Sequence, residues 1–138
     1  MTGMAGMTGA TGATAKLLAD FEAQTLDPAG FKHRDHVAAA FEMLRRYEFL
    51  EASAKYAACI RGIAEKAGVP EKFNATITTA FLSLIAERMA AADYDDFAAF
   101  EEANGDLASM AVLYRWYSKE RLTSDTARKL FLLPDLTG

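Results

Sequence analysis

The sequence predicts an all-α protein: a compact single-domain bundle of six or seven helices with a central apolar helix. Three observations predict it. Apolar residues recur at three- and four-residue spacing through most of the chain. No segment alternates with the period of two that a half-buried strand would show. The periodic segments are separated by helix-stopping or helix-starting residues, among them Asp27-Pro28-Ala29-Gly30, Gly68-Val69-Pro70, Asn104-Gly105, Ser118 and Ser124. A length of 138 residues suits one domain and is short for two. No repeat of the tetratricopeptide or similar period is present.

Met1 to Ala13 contains only Met, Thr, Gly and Ala and has no sizeable apolar face, so it reads as a disordered leader ahead of a helical domain over 14–138. It lacks the basic start and long apolar run of a signal peptide. The first helix is expected over Ala15–Gln24, with Leu17, Leu18 and Phe21 inward. The second, about Arg34–Tyr47, carries the stripe Val37, Ala40, Phe41 and Leu44. The third, about Leu50–Ala67, buries Tyr56, Cys59, Ile60 and Ile63; Gly68 offers a left-handed cap and Pro70 forbids continuation. The fourth begins near Asn74 and runs to about Ala91. It is apolar around most of its circumference (Ile77, Ala80, Phe81, Leu82, Leu84, Ile85, Met89), which predicts the central position. A fifth, acidic helix is expected over Tyr94–Ala103 and a sixth over Leu107–Tyr117. Ser118 and Ser124 then read as N-caps of short helical turns, the second over Asp125–Phe131, and Pro134 stops the chain.

Composition sets several functions aside. The net charge of −4 carries no overall basic footprint for nucleic acid. The longest apolar stretch, Ile77 to Ala92, is short for a bilayer span and is broken by Glu87 and Arg88, so no membrane partner is expected. The single Cys59 has no partner for an internal disulfide, which points to a reducing, cytoplasmic setting, and its place on an apolar stripe makes it an inert core thiol. No glycine-rich phosphate loop, G-x-S-x-G elbow or redox cysteine pair is present. Charge is uneven only locally. Asp93 to Asp106 holds six acids and no base, whereas Arg115 to Lys129 holds five bases against two acids. These are read as solvated faces that attract one another, the sharper alternative being a basic lip over an anion pocket.

Chemistry concentrates in three places. His33 and His36 stand three residues apart at the start of the second helix, so both rings project to one side, toward the core stripe. Two histidines supply fewer ligands than a zinc site requires, and the structural alternative is an N-cap-like His33 beside a hydrogen-bonded, half-buried His36. Asn74 and Thr78 lie one turn apart on the fourth helix and can face a common cavity. Asn74 is equally a preferred N-cap, and Thr78 can bond the carbonyl four residues back. The run Tyr114-Arg115-Trp116-Tyr117-Ser118-Lys119-Glu120-Arg121 can form an aromatic, anion-binding wall or bury its rings and release its arginines.

Three segments carry a resemblance: Phe31-x-His33-x-x-His36-Val37, Phe73-Asn74-Ala75-Thr76-Ile77-Thr78-x-Ala80-Phe81, and Tyr117-Ser118-x-x-x-Leu122-x-Ser124-x-x-Ala127-Arg128 with Phe131-x-Leu133-Pro134-Asp135. Together they resemble an uncharacterised family of short bacterial all-helical proteins, over about Phe31 to Asp135. The resemblance implies an all-helical fold and brings no activity or cofactor. In that family's pattern the positions of Asn74 and Ala75 are usually His and Glu. Two histidines facing a His-Glu pair would make a metal or acid–base site, and this chain departs at both of those positions.

The resulting expectation is an inter-helix pocket for a small polar or anionic molecule, lined by His33, His36, Asn74, Thr78, Tyr117 and Arg121, with Arg121 as the anion partner. Two alternatives accompany it. One is an interaction module that homodimerises through an exposed apolar helix face, and the other is a metal-assisted enzyme in which an acid such as Glu87 joins the histidine pair.

Overall fold

The computed structural model describes residues 12–136. Seven α-helices occur among them: α1 (Gly12–Ala23), α2 (His33–Arg46), α3 (Phe49–Lys66), α4 (Ala75–Ala91), α5 (Phe97–Ala103), α6 (Lys119–Leu122) and α7 (Asp125–Lys129). Short 3-10 helices at Pro28–Gly30, Pro70–Lys72, Gly105–Ala108 and Met110–Arg115 join them. The all-α class predicted by the periodicity is the observed one. The leader expected over 1–13 lies outside the described residues except at Gly12 and Ala13, which already belong to α1.

Local chemistry accounts for the helix ends. Gln24 (φ 58°) closes α1 in the left-handed region, with Gln24 N–H donating to Phe21 O and Thr25 N–H to Asp20 O. Gly68 (φ 79°) closes α3 by the same pair of bonds, Gly68 N–H to Glu65 O and Val69 N–H to Ala64 O, as the sequence predicts. Asn74, Asp96, Ser118 and Ser124 each accept a backbone N–H as N-caps of α4, α5, α6 and α7. At α2 the cap is not His33. The Asp35 carboxylate reaches back to the N–H of Lys32, the residue before the helix (2.9 Å).

Three expectations require correction. The fifth helix starts at Phe97 rather than Tyr94, because the Asp96 carboxylate captures the Ala99 N–H (2.9 Å). The expected sixth helix is two 3-10 turns. Ser109 stands extended between them (φ −135°, ψ 140°) and its Oγ accepts from Ala111 N–H, the local competition with helix that serine offers. Finally, α4 shares the centre with α2. Every residue from Val37 to Met43 is buried, because α1, α3, α4, α5 and the Gly105–Ala108 turn surround that helix and the alanines let them approach closely.

The tail is held differently. Residues 130–136 form no regular element and bind back through side chains. Thr76 Oγ1, fully buried in the first turn of α4, donates to Leu130 O (2.6 Å) and accepts from Leu132 N–H (3.0 Å). Tyr117 Oη donates to Leu132 O, and Asp135 accepts both the N–H and the hydroxyl of Ser118. Leu136 N–H donates to Trp116 O. The third of the resembling segments is therefore a clasp.

Candidate functional site

A cavity of about 390 Å³ opens between α2, α3 and α4. Helices α3 and α4 double back through the Pro70–Lys72 turn. Val69, Lys72 and Phe73 border one end, whereas Tyr56, Phe81 and the histidines stand at the other. Its walls are mainly aliphatic and aromatic, and His33, His36, Asn74 and Thr78 all line it. Four of the six residues singled out by sequence thus share one cavity.

Their states differ. His33 Nε2 lies 2.9 Å from Leu107 O. A carbonyl only accepts, so this nitrogen carries a proton and donates. The ring also meets Phe81 edge-on, with centroids 5.3 Å apart. His36 packs against Phe31 (4.5 Å) and stacks with His33 (6.4 Å). Its ring makes no hydrogen bond among the described residues, unlike the hydrogen-bonded histidine of the structural alternative. Burial, with a smaller push from His33 against a pull from Asp35, lowers its pKa to about 4, so it is a neutral imidazole near pH 7. Tyr56 Oη donates to the His36 carbonyl, fixing that turn of α2 against α3.

Asn74 is largely committed to structure. Its Oδ1 caps α4 by accepting from Ile77 N–H (2.9 Å), and its Nδ2 donates to Leu122 O (2.7 Å). The Thr78 hydroxyl does not bond back to Asn74 O, and among the described residues it has no side-chain hydrogen-bond partner. His36, Thr78 and the Lys72 ammonium are therefore open polar groups of the cavity.

Tyr117 and Arg121 do not belong to this cavity. Tyr117 is 2% exposed and spends its hydroxyl on Leu132 O (2.8 Å). Arg121 Nε donates to Leu133 O (2.6 Å). Both serve the clasp, and Tyr117 also lines a separate cavity of about 240 Å³ with Ala80, Leu84, Glu87, Trp116 and Phe131. The two cavities use faces of α4 roughly 120° apart. Glu87 lines this second cavity and not the one that holds the histidine pair. Among the described residues, no group of three or more His, Cys, Asp and Glu is placed to hold a metal ion.

Of the five bases behind the alternative of a basic lip, Arg115, Arg121 and Arg128 are engaged with other groups. Arg115 pairs with Asp106 (3.5 Å), which Arg88 also grips through two bonds (2.7 and 2.9 Å), and Arg128 pairs with Asp125 (3.0 Å). One ion pair, Arg115–Asp106, joins the acidic segment to the basic one.

Cys59 is 6% exposed and burial raises its thiol pKa, as an inert core thiol requires. Sequence reasoning assigned Tyr56 and Phe81 to the core, and they are also cavity wall. It passed over Lys72 and Met110, which carry no spacing signal, and Thr76, which stood within the Phe73–Phe81 segment. No helix of the described residues is long and apolar enough to cross a membrane. No family model, curated protein or solved structure matches the chain.

Proposed function

We propose that this protein binds a small molecule, apolar along most of its length and carrying a hydrogen-bonding group, in the cavity between α2, α3 and α4. The observation that carries the reading is His36, a mostly buried imidazole held neutral with no hydrogen-bond partner among the described residues. A neutral imidazole offers one donor and one acceptor, and both are free to meet a molecule that enters the cavity. The nearby Thr78 hydroxyl offers a second pair, and aromatic and aliphatic walls supply the apolar contact usual in ligand sites. The cavity volume of about 390 Å³ falls within the range of small-molecule sites. The buried thiol of Cys59 fits residence in a reducing compartment such as the cytoplasm.

A thermal-shift screen of untagged protein against metabolites, run beside His36→Ala, tests it. A ligand that binds the native state raises Tm by mass action, and the rise should vanish in the variant. A rise of equal size in both proteins would remove the ligand from this cavity.

A second reading has its own observation. Leu130, Phe131, Leu133 and Leu136 of the tail are 42–68% exposed, which suits homodimerisation. Phe49 and Leu50, at the start of α3, are exposed as well. Light scattering of wild type and Leu133→Asp distinguishes this: a dimer that the substitution dissociates supports it, and a monomeric wild type removes it.

A further inference from the structure

We infer that the ligand of the α2–α3–α4 cavity is an amphipathic anion, oriented with its charged end at Lys72 and its body along α4 toward His36; the inference rests on the binding role proposed above. Lys72 is the only Lys, Arg, Asp or Glu among the described residues lining the cavity. It is exposed at the Pro70–Lys72 turn and makes no ion pair among the described residues. Two further cations, Arg61 and Lys66, lie on α3. Arg61 lies over the ring of Phe73, a wall residue, with 4.6 Å to the centroid, and Lys66 Nζ donates to Leu26 O (3.0 Å). Neither cation is in an ion pair among the described residues, although the chain as a whole carries net charge −4.

The acids of the same elements do not enter the cavity. Asp27 is occupied by the Ala29 N–H, and Glu65 and Glu71 are exposed outside the lining. An anion at this end therefore meets a cation without an acid on the wall to oppose it. The opposite end is lined by Phe81, Tyr56, Met110 and the neutral His36, and Asp35, whose charge reaches His36, stays outside the lining on the Lys32 N–H. Asn74 to Phe81 spans roughly 10 Å of helix, so the anionic and hydrogen-bonding groups of the ligand stand about that far apart.

Calorimetric titration of the full chain with ω-hydroxydecanoate and with decanediol separates the charge from the body. These probes share a chain and a terminal hydroxyl and differ by one carboxylate. The acid should bind at least tenfold more tightly than the diol at low salt. In Lys72→Gln the ratio should fall below threefold with diol affinity unchanged, and in wild type it should shrink as salt rises. Lys72 is exposed, so a circular dichroism spectrum matching wild type is expected and establishes folding of the variant. Equal affinity for acid and diol, or a ratio that survives Lys72→Gln, would overturn the anion assignment while leaving the cavity as a binding site. Failure of both probes together with a metabolite screen blind to His36→Ala would remove the binding role itself, and this inference with it.

Discussion

The neutral His36 makes stability depend on pH in a defined window. In the unfolded chain its imidazole titrates near 6.5, and in the folded protein near 4. The unfolded state therefore binds more protons than the folded state between those values, and stability falls as pH drops through them. The difference corresponds to roughly 3 kcal/mol, fully present above pH 6.5 and lost by about pH 4. Other groups titrate in the same range, so the comparison must be with a variant that keeps the ring contacts and removes the proton site. His36→Phe does this, because the ring already packs on Phe31 and His33. Urea unfolding of both proteins between pH 4 and pH 7 should give curves that diverge toward acid, the wild type losing roughly 3 kcal/mol more than the variant. Parallel curves would refute the reasoning, since they would mean that His36 is solvated enough to charge while folded. The same measurement with a bound ligand would show whether the partner of the imidazole holds it neutral.

Three further outcomes follow from other parts of the structure. Thr76→Val removes the hydroxyl that serves both Leu130 O and Leu132 N–H; it should cost about 2 kcal/mol in urea unfolding and speed hydrogen exchange at the Leu132 amide, whereas Thr76→Ser should stay close to wild type. Glu42 is 2% exposed with an unpartnered Oε2, and burial raises its pKa, so its ionisation costs stability as pH rises through that pKa. Glu42→Met should therefore stabilise the protein by about 1 kcal/mol at pH 8 and less at pH 4, and a stability loss at pH 8 would show an unrecognised partner for the carboxylate. Gln24→Gly relieves a left-handed residue at the end of α1 and should raise stability by about 0.5–1 kcal/mol in thermal unfolding.

The parts of this molecule that were legible in its sequence are those with a local cause. Gly68, Asn74, Ser118 and Ser124 end or begin helices by bonds within a few residues, so their roles could be read from spacing. The grouping of His33 and His36 with Asn74 and Thr78 was legible for a related reason: both pairs sit at the starts of largely apolar helices. Tyr117 and Arg121 were misplaced because their partners are backbone carbonyls of the tail, Leu132 and Leu133. A carbonyl acceptor has no residue signature, so nothing in the spacing could reveal it. The all-round burial of α2 escaped for another reason. Three successive alanines look weakly apolar in a periodicity scan, yet their small size is what lets neighbours close on every side.

The clasp also sets an order of assembly. Thr76 and Leu130 are separated by 54 residues, so their bond closes a long loop and cannot lead folding. Helices α6 and α7, at 4 and 5 residues, are far too short to persist alone. They gain their order from α4 through Asn74, which holds Leu122 O, and through Thr76, which holds the tail. The segment from Tyr117 onward should therefore join a preformed α2–α3–α4 body in one late, cooperative step. Native-state hydrogen exchange would then report the C-terminal region as the first unit to open, with the histidine cavity still intact beneath it.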